Sequence, residues 1–344
     1  MTVNVLVVDD SAFMRKVLSE ILNSDKEINV VGTAINGEDA LDKISKLNPD
    51  VITMDINMPK LDGISTLKRI MSENPKPVIM VSAQDPKDSK NAIDALEIGA
   101  IDFVVKPSGE ISLNMKDLQD EVIEKVKAAA KAILQKVEKK EVMHRSFAGA
   151  VKKIIAIGSS TGGPQTLEQI IPTLPKNIPA CVIVVQHMPP LFTKSLAERF
   201  ARISEVPVVE AKDGDEVKEG IVYIAPGDYH LEVKRIFIGE TPKDVIKLNQ
   251  KPKELGVRPN VNVMMRSIAE IYKEKVVGIV LTGMGSDGTD GAMAIKKNGG
   301  TVLVQDKDSS IIYGMPKSVF ESGYYDEVVE LSKIPVALVQ LLEL

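Results

Sequence analysis

One cysteine, no tryptophan and three histidines are all that the 344 residues supply of those types. A lone Cys181 excludes an intrachain disulfide. Its apolar neighbours in Ala180-Cys181-Val182-Ile183 read as the setting of a buried small hydrophobe, not of a catalytic thiol. Aromatic residues make up only 4% and the formal charge is -5, which argues against the basic stripes and stacking platforms of a nucleic-acid surface. Long apolar runs are also missing. Ile154 to Ile157 and Cys181 to Val185 are strand-sized, far short of the roughly 20 residues that cross a bilayer. Met1 to Val8 enters a strand pattern with neither a basic n-region nor a cleavage site, so a cytoplasmic protein is expected.

What is present is an ordinary globular composition, 44% apolar and 26% charged, on a chain longer than one hydrophobic core usually organises. Short β-branched runs at Val3-Val8, Ile28-Gly32, Val51-Met54, Val78-Val81 and Ile101-Val105 alternate with helical periods, the last helix beginning near Asp117. That alternation predicts a five-stranded parallel sheet with crossover helices. Residues 135–152 carry five basic and two acidic residues, against 16 and 22 in residues 1–134, and read as a linker. From Ile154 a second α/β alternation begins, with strands at Ile154-Ile157, Val182-Val185, Val206-Val209, Val276-Leu281 and Val302-Gln305. Short β runs at Ile221-Ala225, His230-Val233 and Ile236-Ile238 interrupt it and read as inserted hairpins. The expected division is residues 1–134, a linker at 135–152, and residues 153–344.

In a parallel sheet the residues following each strand share one edge. Asp9 and Asp10, Asp55, Ser82 and Lys106 all fall there, with Pro107 after the lysine. Carboxylates crowded together repel, and an oxygen-liganded dication such as Mg²⁺ relieves them while leaving positions open for phosphate. Asp55, alone on its strand, is then the candidate for attack on a phosphoryl group. Helix capping is the plainer explanation for any one of these acids. Val7-Val8-Asp9-Asp10-Ser11, Met54-Asp55-Ile56-Asn57-Met58-Pro59 and Val104-Val105-Lys106-Pro107 resemble the receiver domain of bacterial response regulators, over about residues 1–125. The resemblance implies a flavodoxin-like fold, phosphorylation on Asp55, and Mg²⁺ held by Asp10, Asp55 and the main chain of Asn57, with Asp9 assisting. It further implies switch roles for Ser82, where threonine is commoner, for Phe103 and for Lys106.

A second set of loops carries different chemistry. Gly158-Ser159-Ser160-Thr161-Gly162 fits G-x-S-x-G between a strand and a helix opened by Pro164, which would expose Ser160 beside helix N–H groups. Ser159 is an alternative nucleophile, and a tight turn is the plainer reading. Of the histidines, His144 lies in the linker and His187 follows a strand on the same sheet edge as Ser160, making it the better base; His230 remains able to line a site. Leu281-Thr282-Gly283-Met284-Gly285-Ser286-Asp287-Gly288 offers Asp287 to orient the base. The same loop matches the dinucleotide fingerprint G-x-G-x-x-G, with Asp306 after the next strand, so an oxidoreductase is a rival. A response regulator with a non-enzymatic output domain is another.

Ile157-Gly158-Ser159-Ser160-Thr161-Gly162-Gly163-Pro164, Gln186-His187-Met188-Pro189-Pro190, Ile224-Ala225-Pro226-Gly227-Asp228 and the Leu281-Gly288 loop together resemble the chemotaxis protein-glutamate methylesterases, the CheB family. That resemblance implies a Rossmann-like, doubly wound α/β catalytic domain with a β-hairpin insertion behind the receiver. It implies a Ser160-His187-Asp287 acyl-enzyme route with main-chain oxyanion donors at Thr161 and Met284 and no cofactor for the ester chemistry. The implied substrates are glutamyl methyl esters, and in many members glutamines, on methyl-accepting chemoreceptors. A chemotaxis histidine kinase is the implied phosphodonor, and contact with the membrane runs only through receptors.

Overall fold

The computed structural model describes residues 2–106, 115–132 and 153–343. The chain divides into two compact units, Met1–Lys136 and Val137–Leu344. The expected linker 135–152, including His144, lies outside the described residues, as does Pro107.

In the first unit the order is β1 (Val3–Val8), α1 (Ala12–Asn23), β2 (Ile28–Ala34), α2 (Gly37–Leu47), β3 (Val51–Asp55), α3 (Gly63–Glu73), β4 (Val78–Ser82), α4 (Pro86–Ile98), β5 (Asp102–Val105) and α5 (Met115–Ala129). The strands form one parallel sheet in the order β2-β1-β3-β4-β5, the flavodoxin-like arrangement. Val5 to Val8 and Val78 to Met80 are fully buried because a parallel sheet is covered on both faces. The first four helices each start on a side-chain cap: Ser11 accepts from the Met14 N–H, Asn36 from Asp39, Asp62 from Ser65, and Asp85 from Lys87 and Asp88. Each cap satisfies N–H groups that would otherwise have no partner. None of these caps is Asp9, Asp10 or Asp55, so capping does not account for the strand-end acids.

The second unit comprises β6 (Lys153–Ser159), α6 (Gly163–Glu168), β7 (Ala180–Gln186), α7 (Phe192–Ile203), β8 (Val208–Glu210), β9 (Val222–Ile224), β10 (His230–Ile238), β11 (Thr241–Asn249), α8 (Val261–Tyr272), β12 (Val276–Val280), α9 (Thr289–Lys297), β13 (Thr301–Gln305), α10 (Met315–Ser322), β14 (Glu327–Val329) and α11 (Ile334–Glu343). Seven of its strands form a parallel sheet in the order β14-β13-β12-β6-β7-β9-β8. From β6 the chain first builds to one side through β7, then returns to the other side at β12. The crevice at the carboxyl ends of β6 and β12 is therefore a topological switch point, where doubly wound sheets bind ligands.

Four sequence readings need correction here. The run Ile221-Ala225 is no part of a hairpin: its Val222–Ile224 is β9, parallel to β7 and β8 inside the main sheet, because its side chains are buried there. The runs His230-Val233 and Ile236-Ile238 are one nine-residue strand, β10, paired antiparallel with the unforeseen β11 in a separate two-stranded sheet. The strand expected at Val206 begins at Val208, since Pro207 cannot donate to a ladder. Helix α10 and strand β14 were not anticipated. Helix α8 lies across the sheet and the hairpin and buries Met264, Met265, Ile268 and Ala269 completely, each large apolar side chain contributing about 1.5–3 kcal/mol. That packing fixes the N-terminus of α8, which faces the crevice loops.

Candidate functional site

The carboxyl edge of the first sheet gathers charge. Ligand oxygens of Asp9, Asp10 and Asp55 lie within 4.8 Å of one another. The Lys106 ammonium reaches Asp9 Oδ2 at 3.0 Å and Asp55 Oδ1 at 2.9 Å. Asp9 and Asp55 are buried, and Asp9 Oδ2 has this ion pair but makes no hydrogen bond. Burial pushes the Asp55 carboxyl up to about 6, with the Asp9 charge adding to the rise and Lys106 and the Asn57 N–H opposing it. Burial draws the Lys106 ammonium down, but its bonds to Asp55 and Asp9 outweigh that and hold it above its ordinary value. An oxygen-only donor set of three crowded carboxylates, two of them buried and only one ammonium among them, fits a hard divalent cation. Arg15, unnoticed in the sequence, donates to the Asp9 and Asp10 carbonyls at 2.9 Å and so shapes this loop.

The other expected receiver residues sit around that cluster. Ser82, fully buried, ends β4 beside Asp55, and its hydroxyl donates to the carbonyls of Ala83 and Asp88. The Asn57 side chain turns away from the acids and donates to both oxygens of Asp88 at 2.9 Å. Phe103 is buried on β5, with the Lys125 ammonium 5.4 Å from its ring centre. That is the environment of a core aromatic.

In the second unit, His187 Nε2 lies 2.8 Å from Asp287 Oδ2. Asp287 is buried, and its carboxylate also accepts the N–H groups of Val261, Asn262 and Gly288 at 2.6, 2.9 and 2.9 Å. The first two come from the start of α8, where N–H groups lack helical partners. Ser160 follows β6 on the adjacent strand end, and the His187 N–H donates to the Ser159 carbonyl at 3.1 Å, which sets the two loops side by side. Because Nε2 faces a carboxylate, that nitrogen carries the hydrogen and Nδ1 is the acceptor of the neutral ring.

The two candidate serines differ in kind. Ser159 is fully buried and its hydroxyl donates to Gln186 Oε1 at 2.6 Å, whereas Ser160 is partly exposed at the crevice. Only Ser160 has access to a substrate. Its main chain is held on both sides: its N–H donates to the Thr282 carbonyl at 3.0 Å, and its carbonyl accepts from Gly163 and from Gln186 Nε2 at 2.7 and 2.9 Å. Gly162 follows in the left-handed region at φ 77, a turn that suits a residue without Cβ. Thr161 and Met284 lie directly beyond β6 and in the β12 loop, and the neighbouring Ser160 and Gly283 N–H groups are taken by the Thr282 and Ile312 carbonyls.

The remaining loops serve this pair. Gly227 packs against the main chain of Pro189 and Pro190, and its N–H donates to Thr193 Oγ1, so the Pro226-Gly227-Asp228 turn braces the His187 loop. His230 is buried with Nε2 3.0 Å from the Pro252 carbonyl, a structural contact of the hairpin. Asp306 is bonded to the Ser309 hydroxyl, and the Gly288 N–H is taken by Asp287. Two groups of the dinucleotide fingerprint are thus already engaged within the fold.

A family model described as CheB methylesterase matches residues 155–338, and one described as response regulator receiver domain matches residues 5–119. The chain belongs to the CheB methylesterase family. A protein-glutamate methylesterase/protein-glutamine glutaminase of Pyrococcus abyssi is 47% identical over 99% of this chain and 94% of that protein. One of Thermotoga maritima with the same name is 48% identical over 98% of each. The crystal structure of the Thermotoga maritima CheB methylesterase catalytic domain covers 56% of this chain and 99% of its own, at 53% identity and a TM-score of 0.53. CheB membership accounts for the four loop motifs, but two structural contributors to the crevice, one inside a quoted motif and one outside all four, had no role assigned from the sequence. Gln186 ties Ser159, Ser160 and the His187 carbonyl together. The stretch 309–315 clamps the β12 loop: Ile312 N–H donates to Thr282 Oγ1 at 2.8 Å and Met315 N–H to the Gly283 carbonyl at 2.8 Å.

Among the described residues, no helix is long and apolar enough to cross a membrane. Cys181 is buried, and burial, with the Glu219 charge, pushes its thiol up and away from reactivity.

Proposed function

We propose that this protein hydrolyses glutamyl methyl esters on chemoreceptors, releasing methanol, and deamidates receptor glutamines, under control of phosphorylation at Asp55. The observation that carries this reading is the His187-Asp287 pair at the switch-point crevice, one strand away from the accessible Ser160. Ser160 Oγ attacks the ester carbonyl carbon while its proton passes to His187 Nδ1, and Asp287 holds the imidazolium through Nε2–H. The ring is used in the opposite sense to the serine-protease template, where Nε2 faces the serine. The tetrahedral oxyanion takes hydrogen bonds from the main-chain N–H groups of Thr161 and Met284. Collapse expels methoxide, which leaves as methanol with the proton from Nδ1. Water then attacks the acyl-serine, gives a proton to Nδ1, and releases glutamate as the serine recovers its hydrogen. For a glutamine substrate the leaving group is ammonia, and no cofactor enters either reaction.

In the receiver, residues 1–134, Asp10, Asp55 and the Asn57 carbonyl would hold Mg²⁺, with Asp9 assisting. The ion supplies charge neutralisation for phosphoryl transfer from a chemotaxis histidine kinase. Lys106 neutralises the Asp9 and Asp55 carboxylates, and Ser82 and Phe103 report the phosphorylated state. Residues 135–152 link this domain to the catalytic domain, 153–344. The protein works in the cytoplasm and meets the membrane only through receptors, and adaptation of the sensory response is the outcome. Methanol release from methyl-esterified chemoreceptor membranes, with and without Mg²⁺ and a small-molecule phosphodonor, tests the reading. Release that requires Ser160 and rises with phosphodonor supports it; folded protein that releases none in either condition refutes it.

A further inference from the structure

Helix α9 begins on Gly288, which has no side chain to cap it. The missing cap comes from another helix. Asn262, in the first turn of α8 and 1% exposed, accepts the Gly288 N–H at 2.9 Å and the Gly291 N–H at 2.8 Å on its Oδ1. Gly288 is the N-cap of α9 and Gly291 its third helical position, whose N–H is a donor that a capping side chain ordinarily serves. In the reverse direction the Asn262 main-chain N–H donates to Asp287 Oδ1. The two helix starts are thereby strapped across the residue that precedes Gly288, which is Asp287. Helix α9 also approaches α8 without room for adjustment, because a Cβ on Gly291 would lie 2.7 Å from Met265 Cβ.

We propose that Asn262 is a positioning residue for the Asp287-His187 pair, a role that rests on the Ser160-His187-Asp287 reading above. The Gly288 N–H is shared between Asn262 Oδ1 and Asp287 Oδ1. Removing the amide leaves that donor to Asp287 alone and leaves the buried Gly291 N–H without its acceptor. The carboxylate is then drawn toward its own main chain and away from His187 Nε2. Catalysis suffers through geometry, and substrate binding, which does not touch Asn262, is spared.

The test measures kcat and KM for methanol release by the full-length protein across a range of methyl-esterified receptor membranes, beside the low-field imidazole N–H proton resonance. Asn262→Ala is expected to lower kcat by about 30-fold with KM within about twofold, a loss of the size that small misplacements of catalytic groups produce. The low-field resonance should shift or broaden. Asn262→Ser, whose shorter hydroxyl caps in part, should fall between, and it carries the test if the alanine variant does not fold. Ser267→Ala is the stability control, because Ser267 lies on the same helix and accepts the Val233 N–H without touching the Asp287 loop. It should lower the melting temperature and leave kcat and the resonance unchanged. Wild-type kcat in the Asn262 variants, or an equal kcat loss in Ser267→Ala, overturns the positioning role. Wild-type protein with no Ser160-dependent release overturns the underlying reading instead.

Discussion

The two loop clusters solve the same topological problem, a site at the carboxyl edge of a parallel sheet, in opposite ways. In the first unit the helices following the strands are capped by their own side chains, and the strand-end carboxylates are left crowded, with one buried oxygen lacking a hydrogen bond and Asp55 raised to about 6. In the second unit α6 and α9 start on Gly162 and Gly288, which have no side chains to serve as caps, and Asp287, the one buried acid among the described residues there, is saturated by three main-chain N–H groups and a histidine. The first cluster is electrostatically incomplete, and under the proposed function a cation and a phosphoryl group would complete it. The second already has its hydrogen bonds made. A regulated protein needs both kinds, since a switch must respond to its ligand while a catalytic pair must hold its geometry.

If the second cluster is preassembled, single removals should be severe for rate and mild for folding. Ser160→Ala should lower methanol release by at least about 10⁴-fold, the scale seen when a nucleophile is lost, with the melting temperature little changed. Ser159→Ala should retain turnover; comparable loss there would break the distinction between the two serines. Asp287→Asn should cost about 10³–10⁴-fold in kcat by disturbing the imidazole tautomer, read in steady-state kinetics. Gly283→Ala probes the fit itself. Its Cβ would stand 2.8 Å from Ser160 Cβ and closer still to Met315 Sδ, so kcat should fall by about 10²-fold with a stability loss of about 1–3 kcal/mol in urea unfolding.

If the first cluster is incomplete, relieving it should stabilise the fold. Asp55 carries a proton up to about 6 in the folded chain and up to 3.8 in the reference state. Between those values the folded state binds more protons, so stability falls as pH rises from about 4 to about 6 and is level above. Asp55→Asn should therefore raise stability of the receiver by on the order of 2 kcal/mol at pH 7 without Mg²⁺, remove that slope, and abolish stimulation by phosphodonor. Urea unfolding across pH measures the first two. A destabilised Asp55→Asn protein would show that the carboxylates are not in conflict.

Both sheets, their parallel sense and the residues at their carboxyl edges were legible because buried β-branched runs and strand-end polar residues are local signals. Ser160, His187 and Asp287 were legible for the same reason, each following a readable strand. The hairpin was not. Thr241–Asn249 contains Pro242 and three charged residues and becomes a strand only because β10 supplies a partner and Val245 and Ile246 find a core. Nor was α10, whose Met315-Pro316 start resembles a turn although proline suits the first helical turn. Asn262 and the 309–315 clamp act through hydrogen bonds to residues far away in the chain, as does Gln186, whose motif was visible but whose role was not, and no spacing rule marks such partners.

The claim that Ser160 is the activated nucleophile is tested most directly by treating the full-length protein with a fluorophosphonate and locating the adduct by peptide mass spectrometry. The adduct is expected on Ser160 in the wild type, and to disappear in His187→Ala. An adduct on Ser159, or one on Ser160 that forms equally fast without His187, would contradict the account.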